Sequence, residues 1–269
     1  MAYGWPSPNF PSPMSCSDPE LRYLQRTPTG AEYVSQIGTQ ESDRRTRSAF
    51  RDLVINIAAP GARLFDFGAG PGIDAKFFAE HGFTIDAYDV DPRMRDFFAE
   101  HCRDLISTGR ITVEGGAYRD FLTRSTASGG RCADLIISNF APLNLIDDLR
   151  ELFGKFHALA GPRGQVLASV LTPCFVGDMR SRYWWRGALR LWRHGELFLP
   201  GPQAPYYRRL LRHFRAVSAP HFRLTRVFPG LPSFPGARSN GIDLQRDSRF
   251  AWLQVAACRY MFLLFQRTD

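Results

Sequence analysis

Apolar positions change their spacing several times along the chain, and each change marks an element. Phe50, Leu53, Val54 and Ile57 recur at helical intervals. Ser42 and Asp43 suit the start of that helix, and Pro60 and Gly61 close it. From there, short apolar runs alternate with amphipathic stretches. The runs Ala62–Phe67, Phe83–Asp89, Arg110–Glu114, Ala133–Ser138 and Gln165–Leu171 predict strands. Between them, Ile73–His81, Pro92–Ile106, a short turn near Tyr118 and Leu145–Ala160 predict helices. The strand segments are almost continuously apolar, as expected of strands covered on both faces. This order implies an α/β fold in three layers, a mostly parallel sheet between two layers of helices.

The rhythm breaks after Thr172. Residues 173–202 hold Tyr183, Trp184, Trp185, Trp192 and five arginines, and are read as a helical cap inserted into the fold. Beyond it, Tyr206–Phe214 predicts a helix, Phe222–Phe228 a strand, Gly230–Gly241 a loop and Ala256–Phe265 the last strand. The domain plan is therefore an arm over 1–41, a ligand-binding core over 42–172, a cap over 173–215 and final strands over 216–269. The arm's first 17 or so residues carry Pro6, Pro8, Pro11 and Pro13 and are read as extended, able to drape over a partner, and the arm as a possible lid.

Composition changes this picture little. Hydrophobic residues make up 44% of the chain, enough for a sizeable core. The 34 basic against 26 acidic residues leave a net charge of +8. That charge attracts anions without choosing among nucleic acid, anionic lipid and a phosphorylated or carboxylated metabolite. The five cysteines, Cys16, Cys102, Cys132, Cys174 and Cys258, show neither zinc-ligand nor redox-pair spacing, so no metal is expected. Cys132 and Cys258 sit in apolar surroundings and read as core. No signal-peptide pattern and no bilayer-length apolar run is visible, so the expected location is cytoplasmic.

The candidate chemistry begins at Asp66-Phe-Gly68-Ala69-Gly70-Pro-Gly72, between a strand and a helix. Glycines let a ligand approach the backbone, and the free amides and positive dipole end of a helix start suit a carboxylate. A dinucleotide loop, counted from Gly68, would place its third glycine where Ile73 stands. Asp66, ahead of the loop, suits an ammonium group. A ligand with both groups is an amino acid, such as the methionine part of S-adenosylmethionine (SAM). Asp89 ends the second strand, where a carboxylate takes both ribose hydroxyls.

These segments, together with Ala133-Asp-Leu-Ile-Ile-Ser-Asn139-Phe140-Ala-Pro-Leu-Asn144, resemble the class I SAM-dependent methyltransferases from about Ser42 to Leu171. The resemblance implies a Rossmann-like domain with an antiparallel last strand. It assigns Asp66, Gly68, Ala69, Gly70 and Gly72 to the methionine moiety and Asp89 to the ribose. Val90 and Met94 would flank the adenine, and Gly116, Ala117 and Tyr118 would reach its edge. Many relatives carry an aspartate where Gly116 stands, which leaves the adenine amino group to another acceptor. Asn139 and Phe140 would lie beside the sulfonium.

The reading that follows is a methyltransferase for a small or medium-sized metabolite, anionic or linked to a carrier, with an oxygen acceptor preferred. An RNA methyltransferase and a non-catalytic SAM-binding partner protein are the alternatives. Asn139 precedes Phe-Ala-Pro rather than Pro-Pro-Tyr, which speaks against a DNA substrate. Candidate catalytic residues are His194 and Tyr206. Candidate substrate contacts are Asn144, Tyr183, Trp184, Arg186 and Tyr207, and Tyr118, Phe140 and the Trp184–Trp185 pair offer aromatic faces for the sulfonium.

Overall fold

The structure is a computed structural model that describes residues 30–39, 41–124, 132–175, 182–199, 206–230, 242–243 and 255–268. Helices α1 (Gly30–Thr39) and α2 (Glu41–Ile57) precede the sheet. The first half then alternates: β1 (Arg63–Phe67), α3 (Ile73–Glu80), β2 (Thr84–Tyr88), α4 (Pro92–His101), α5 (Arg103–Ser107), β3 (Ile111–Glu114) and α6 (Tyr118–Thr123). Next come β4 (Ala133–Ser138), α7 (Leu149–Leu159) and β5 (Ala160–Leu171). The cap contributes α8 (Arg182–His194), β6 (Glu196–Leu199) and β7 (Tyr206–Arg209). The chain closes with α9 (Leu211–Ser218), β8 (Phe222–Pro229), β9 (Ile242–Asp243) and β10 (Tyr260–Arg267).

The main sheet runs in the order β3-β2-β1-β4-β5-β10-β8-β9. Strands β1 to β5 pair in parallel, whereas β10 is antiparallel to both β5 and β8. Two cores lie on the two faces. Phe65, Phe67, Ile136 and Leu263 point toward α6, α7 and α9, and Leu64, Ile137, Phe262 and Leu264 point toward α2, α3 and α4. Adjacent residues of one strand thus serve opposite layers, which is why these strands read as continuous apolar runs. After β1 the chain builds outward to β3 and then returns to place β4 on β1's other side. The crevice at this reversal, outside the carboxyl ends of β1 and β4, is where open α/β sheets bind ligands.

Several expectations are corrected. The helix expected over Pro92–Ile106 breaks at Cys102, giving α4 and α5. The helix expected from Leu145 starts at Leu149, where the Asp148 carboxylate accepts from the amides of Arg150 and Glu151. The helix expected over Tyr206–Phe214 is a strand followed by a helix. Tyr206–Arg209 pairs antiparallel with Glu196–Leu199, and cross-strand pairing overrides the helical spacing. Residues Gly30–Thr39 of the arm, for which no element was expected, are helical. Cys132 is exposed, not core, while Cys258 is buried. The last strand begins at Tyr260 rather than Ala256. The prolines of the arm and residues 231–241 of the expected loop lie outside the described residues.

Candidate active site

The β1–α3 turn is built for backbone approach. Gly68, Gly70 and Gly72 have φ of 73°, 56° and 79°, the left-handed region that side chains disfavour. Their roles differ. A Cβ on Gly68 would come within 2.6 Å of Pro142, and one on Gly72 within 2.7 Å of the Phe98 ring. A Cβ on Gly70 would meet nothing and would project into open space. The amides of Gly68 and Ala69 donate to the Tyr88 carbonyl at 2.8 and 3.1 Å, which ties the turn to the end of β2.

Asp89 follows directly on β2. Its carboxylate accepts from the Gly70 amide at 2.7 Å and the Asp91 amide at 2.8 Å. Burial pushes its pKa up to about 6, against the pull of those two amides. Asp91 caps α4 ahead of Pro92, accepting from the Arg93 amide at 2.9 Å. Asp66 sits at the same strand ends with 3% exposure, and its Oδ2 has no hydrogen-bond partner. Burial, then the charges of Asp74 and Asp89, raise its pKa well above the ordinary carboxylate value, opposed by Arg47. Such a group lacks a donor, and a cationic one would serve best.

Two residues complete the pocket that the sequence reading missed. Asp74, in the first turn of α3, is ion-paired to Arg47 and, at 2.7 Å, to Arg51, both on α2. Burial raises its pKa, but the two guanidinium groups and an Asn139 amide outweigh that and hold it below the ordinary value. Asn139 donates to Asp74 at 3.0 Å, and its own oxygen accepts from the Phe140 amide at 2.9 Å. Phe140 and Ala141 then adopt φ of 59° and 69°, strained for residues with side chains. The Phe140 ring packs edge-on against Tyr260, with ring centres 5.7 Å apart. Arg47, Asp66, Gly68, Gly70, Asp74 and Phe140 are among the walls of a pocket with about 30 Å³ of water-accessible space. Arg47 did carry a sequence signal. It stands three and seven residues before Phe50 and Val54, on the buried stripe of α2, and is itself buried.

None of the expected adenine contacts is among the residues lining this pocket. Met94 is buried and Val90 half-buried. Arg95 donates to the carbonyls of Asp89 and Val90 at 2.8 and 2.9 Å, which fixes that strand end. Gly116 has φ of 110° and its carbonyl accepts from the Tyr88 hydroxyl at 3.0 Å. Ala117 is exposed. Tyr118 belongs instead to the α6–α7 layer, its ring packed against Phe67 and Phe121.

Among the described residues, none of the cap candidates lines the pocket. His194 is exposed in the last turn of α8. Tyr206 lies half-buried on β7 near the Arg208 guanidinium. Trp184 donates to the Pro173 carbonyl at 3.4 Å and packs on Trp185, which is 61% exposed. The side chains of Tyr183 and Arg186 lie outside the described residues. Asn144, expected as a substrate contact, pins the cap to the end of β5. It is 1% exposed, donates to the Tyr207 carbonyl at 2.6 Å and accepts from the Leu171 amide at 3.0 Å, so both ends of its amide are used. Tyr207 is held from the other side by Arg209, whose guanidinium lies 4.1 Å from its ring centre.

Arg209 is the cap's anchor. It is fully buried and donates to the carbonyls of Leu143, Ile146 and Asp147 at 3.0, 2.6 and 3.0 Å. Its Nε also meets Glu196 at 3.2 Å. Arg208 is likewise buried and donates to the Thr172 carbonyl.

The sequence matches, over residues 42–222, the family described as a methyltransferase domain. No curated protein gives a significant match. The fold is shared with the 1,6-didemethyltoxoflavin-N1-methyltransferase of Burkholderia thailandensis, solved with 1,6-didemethyltoxoflavin and S-adenosylhomocysteine (TM-score 0.56, 17% identity, 96% of this chain and 94% of that one). It is shared equally with the magnesium protoporphyrin IX methyltransferase of Synechocystis PCC 6803, solved with S-adenosylhomocysteine (TM-score 0.56, 15% identity, 92% and 98% covered). A third similar structure is the CcbJ methyltransferase of Streptomyces caelestis (TM-score 0.56, 13% identity, 91% and 95% covered).

Proposed function

Since the chain belongs to the methyltransferase-domain family and is a SAM-dependent enzyme of class I, we propose that it methylates an anionic oxygen on a small or medium-sized metabolite. The observation that carries the cofactor assignment to particular residues is the partnerless Oδ2 of buried Asp66, set beside the open face of Gly70. The residues present fit the cofactor. Asp66 takes its ammonium group, the amides at the start of α3 and Arg47 take its carboxylate, and Asp89 takes the ribose hydroxyls. Arg47 covers the Phe140 ring and pairs with Asp74, so it turns from them to meet the carboxylate.

SAM supplies a methyl carbon already activated by a sulfonium, so the protein has to align an acceptor with it and exclude water. Asn139 and Phe140, the latter held in strained backbone after β4, form the wall nearest that position. The Phe140 ring already carries a cation, with Arg47 at 4.5 Å from its centre, and would face the sulfonium once Arg47 withdraws. No histidine is among the described residues that line the pocket. An acceptor oxygen that is already ionised needs no general base, which favours a carboxylate or phenolate over a neutral alcohol.

Calorimetry with SAM and with S-adenosylhomocysteine tests the cofactor site. Micromolar binding, about 8 kcal/mol, is expected for the wild type and is lost in Asp89→Ala and Asp66→Asn. Transfer of a labelled methyl group is then followed into fractionated metabolites and into RNA. Label in RNA alone would overturn the small-molecule assignment.

A further inference from the structure

The cap helix α8 has two apolar stripes, one buried against the protein and one largely exposed. Leu191 is buried, and a Cβ on Gly187 would meet the Leu197 side chain at 2.4 Å, so this stripe seats α8 on the β6–β7 hairpin. The second stripe is Trp185, Leu189 and Trp192, at spacings of four and three residues. These side chains are 61%, 71% and 71% exposed, the three most exposed large apolar residues among the described ones. Helical geometry places them along one side of the rod, about 10 Å from first to last.

The charges around this stripe have one sign. Arg190 and Arg193 are exposed on the same helix, and His194 follows them. Arg212 of α9 reaches the Trp192 carbonyl. Residues 182–194 include no aspartate or glutamate. The acidic residue just beyond, Glu196, is occupied by Arg209 at 3.2 Å and faces His213 at 3.6 Å. No helix among the described residues is long and apolar enough to cross a membrane.

We propose that the outer face of α8 docks on an anionic lipid surface, lying in its plane. Tryptophan rings suit the boundary between headgroups and acyl chains, and leucine between them adds apolar contact. The flanking arginines meet lipid phosphates or carboxylates, with their stems along the apolar layer. A second copy of the chain fits less well, because a two-fold contact through this face would set Arg190 and Arg193 against their own equivalents. This assignment uses no residue of the cofactor pocket and stands independently of the acceptor.

The full-length protein is sedimented with vesicles of phosphatidylcholine alone and of phosphatidylcholine with an equal part of phosphatidylglycerol. Binding to the anionic vesicles only, weakened by high salt, is expected. It falls at least tenfold in Leu189→Glu/Trp192→Glu and in Arg190→Glu/Arg193→Glu, with circular dichroism and SAM affinity unchanged. The proposal is overturned if the wild type stays in the supernatant, if it binds both vesicle types alike, or if the variants sediment as the wild type does. It is equally overturned if light scattering shows the wild type to be a dimer that Leu189→Glu/Trp192→Glu dissociates.

Discussion

The guanidinium of Arg47 lies 4.5 Å from the centre of the Phe140 ring, joining the helix before the sheet to the strained turn after β4. The same guanidinium is ion-paired to Asp74. Removing it in Arg47→Met leaves Asp74 with Arg51 and the Asn139 amide. The expected loss is therefore about 2 kcal/mol, below the ~3–5 kcal/mol of breaking a buried pair that has no other support. SAM affinity is expected to fall tenfold or more. Denaturant unfolding and calorimetry read the two effects separately.

The glycines of the first turn separate packing from binding. Gly72→Ala forces a side chain at φ 79° into the Phe98 ring, and is expected to destabilise the fold by more than ~2 kcal/mol. Gly70→Ala meets no neighbour, so only the backbone strain of about 1–2 kcal/mol remains. Its methyl group occupies the space assigned to the cofactor. A folded Gly70→Ala protein with SAM affinity reduced at least tenfold is the expected result, and unchanged affinity would place the cofactor elsewhere.

Cofactor affinity should depend on pH through Asp89. On the proposed assignment the ionised carboxylate accepts both ribose hydroxyls, and burial raises its pKa to about 6. Affinity is expected to be level above pH 6 and to weaken as pH falls through it. Stability of the empty protein responds oppositely. Because the folded pKa lies above the ordinary 3.8, the contribution of Asp89 is fully present below 3.8 and is lost as pH rises through about 6. Asp74, with its pKa lowered, contributes above its ordinary value and loses that contribution as pH falls. Calorimetry and unfolding between pH 5 and 8 check the Asp89 trend, and Asp89→Asn should flatten it.

Arg209→Met orphans the carbonyls of Leu143, Ile146 and Asp147. At ~1–3 kcal/mol for each buried group left unsatisfied, a loss of about 3 kcal/mol or more is expected. Arg209→Lys keeps part of the bonding and should lose less. Since the anchor sits under the cap and not in the cofactor pocket, SAM affinity should hold in Arg209→Lys while KM for the acceptor rises.

Local patterns made the sheet legible. The apolar runs at β1, β2, β4 and β10 face two cores, and a run covered on both sides announces itself. Asp66 and Asp89 were legible because each stands at a strand end beside a glycine turn. Arg47 and Asp74 were not, because 27 positions separate them in the chain and only the fold makes them partners. The cap was misread for a related reason. Tyr206–Arg209 has helical spacing, yet its partner strand lies across a chain reversal that no local periodicity reports. Likewise Arg208 and Arg209 look like solvated or ligand-binding charges until the carbonyls they satisfy are placed.

The position of β10 has a consequence for how the protein is made. It lies between β5 and β8 although it follows both in the chain. While the ribosome is still adding residues 231–259, β1 to β5 can already pair with one another, whereas β8 has no route into the main sheet. Its apolar residues Leu224, Val227 and Phe228 must wait for Tyr260–Arg267 to emerge and bridge the gap. The sheet therefore cannot be completed until β10 is made, and the nascent chain exposes the open edge of β5 until then, a stage at which chaperone capture is most useful.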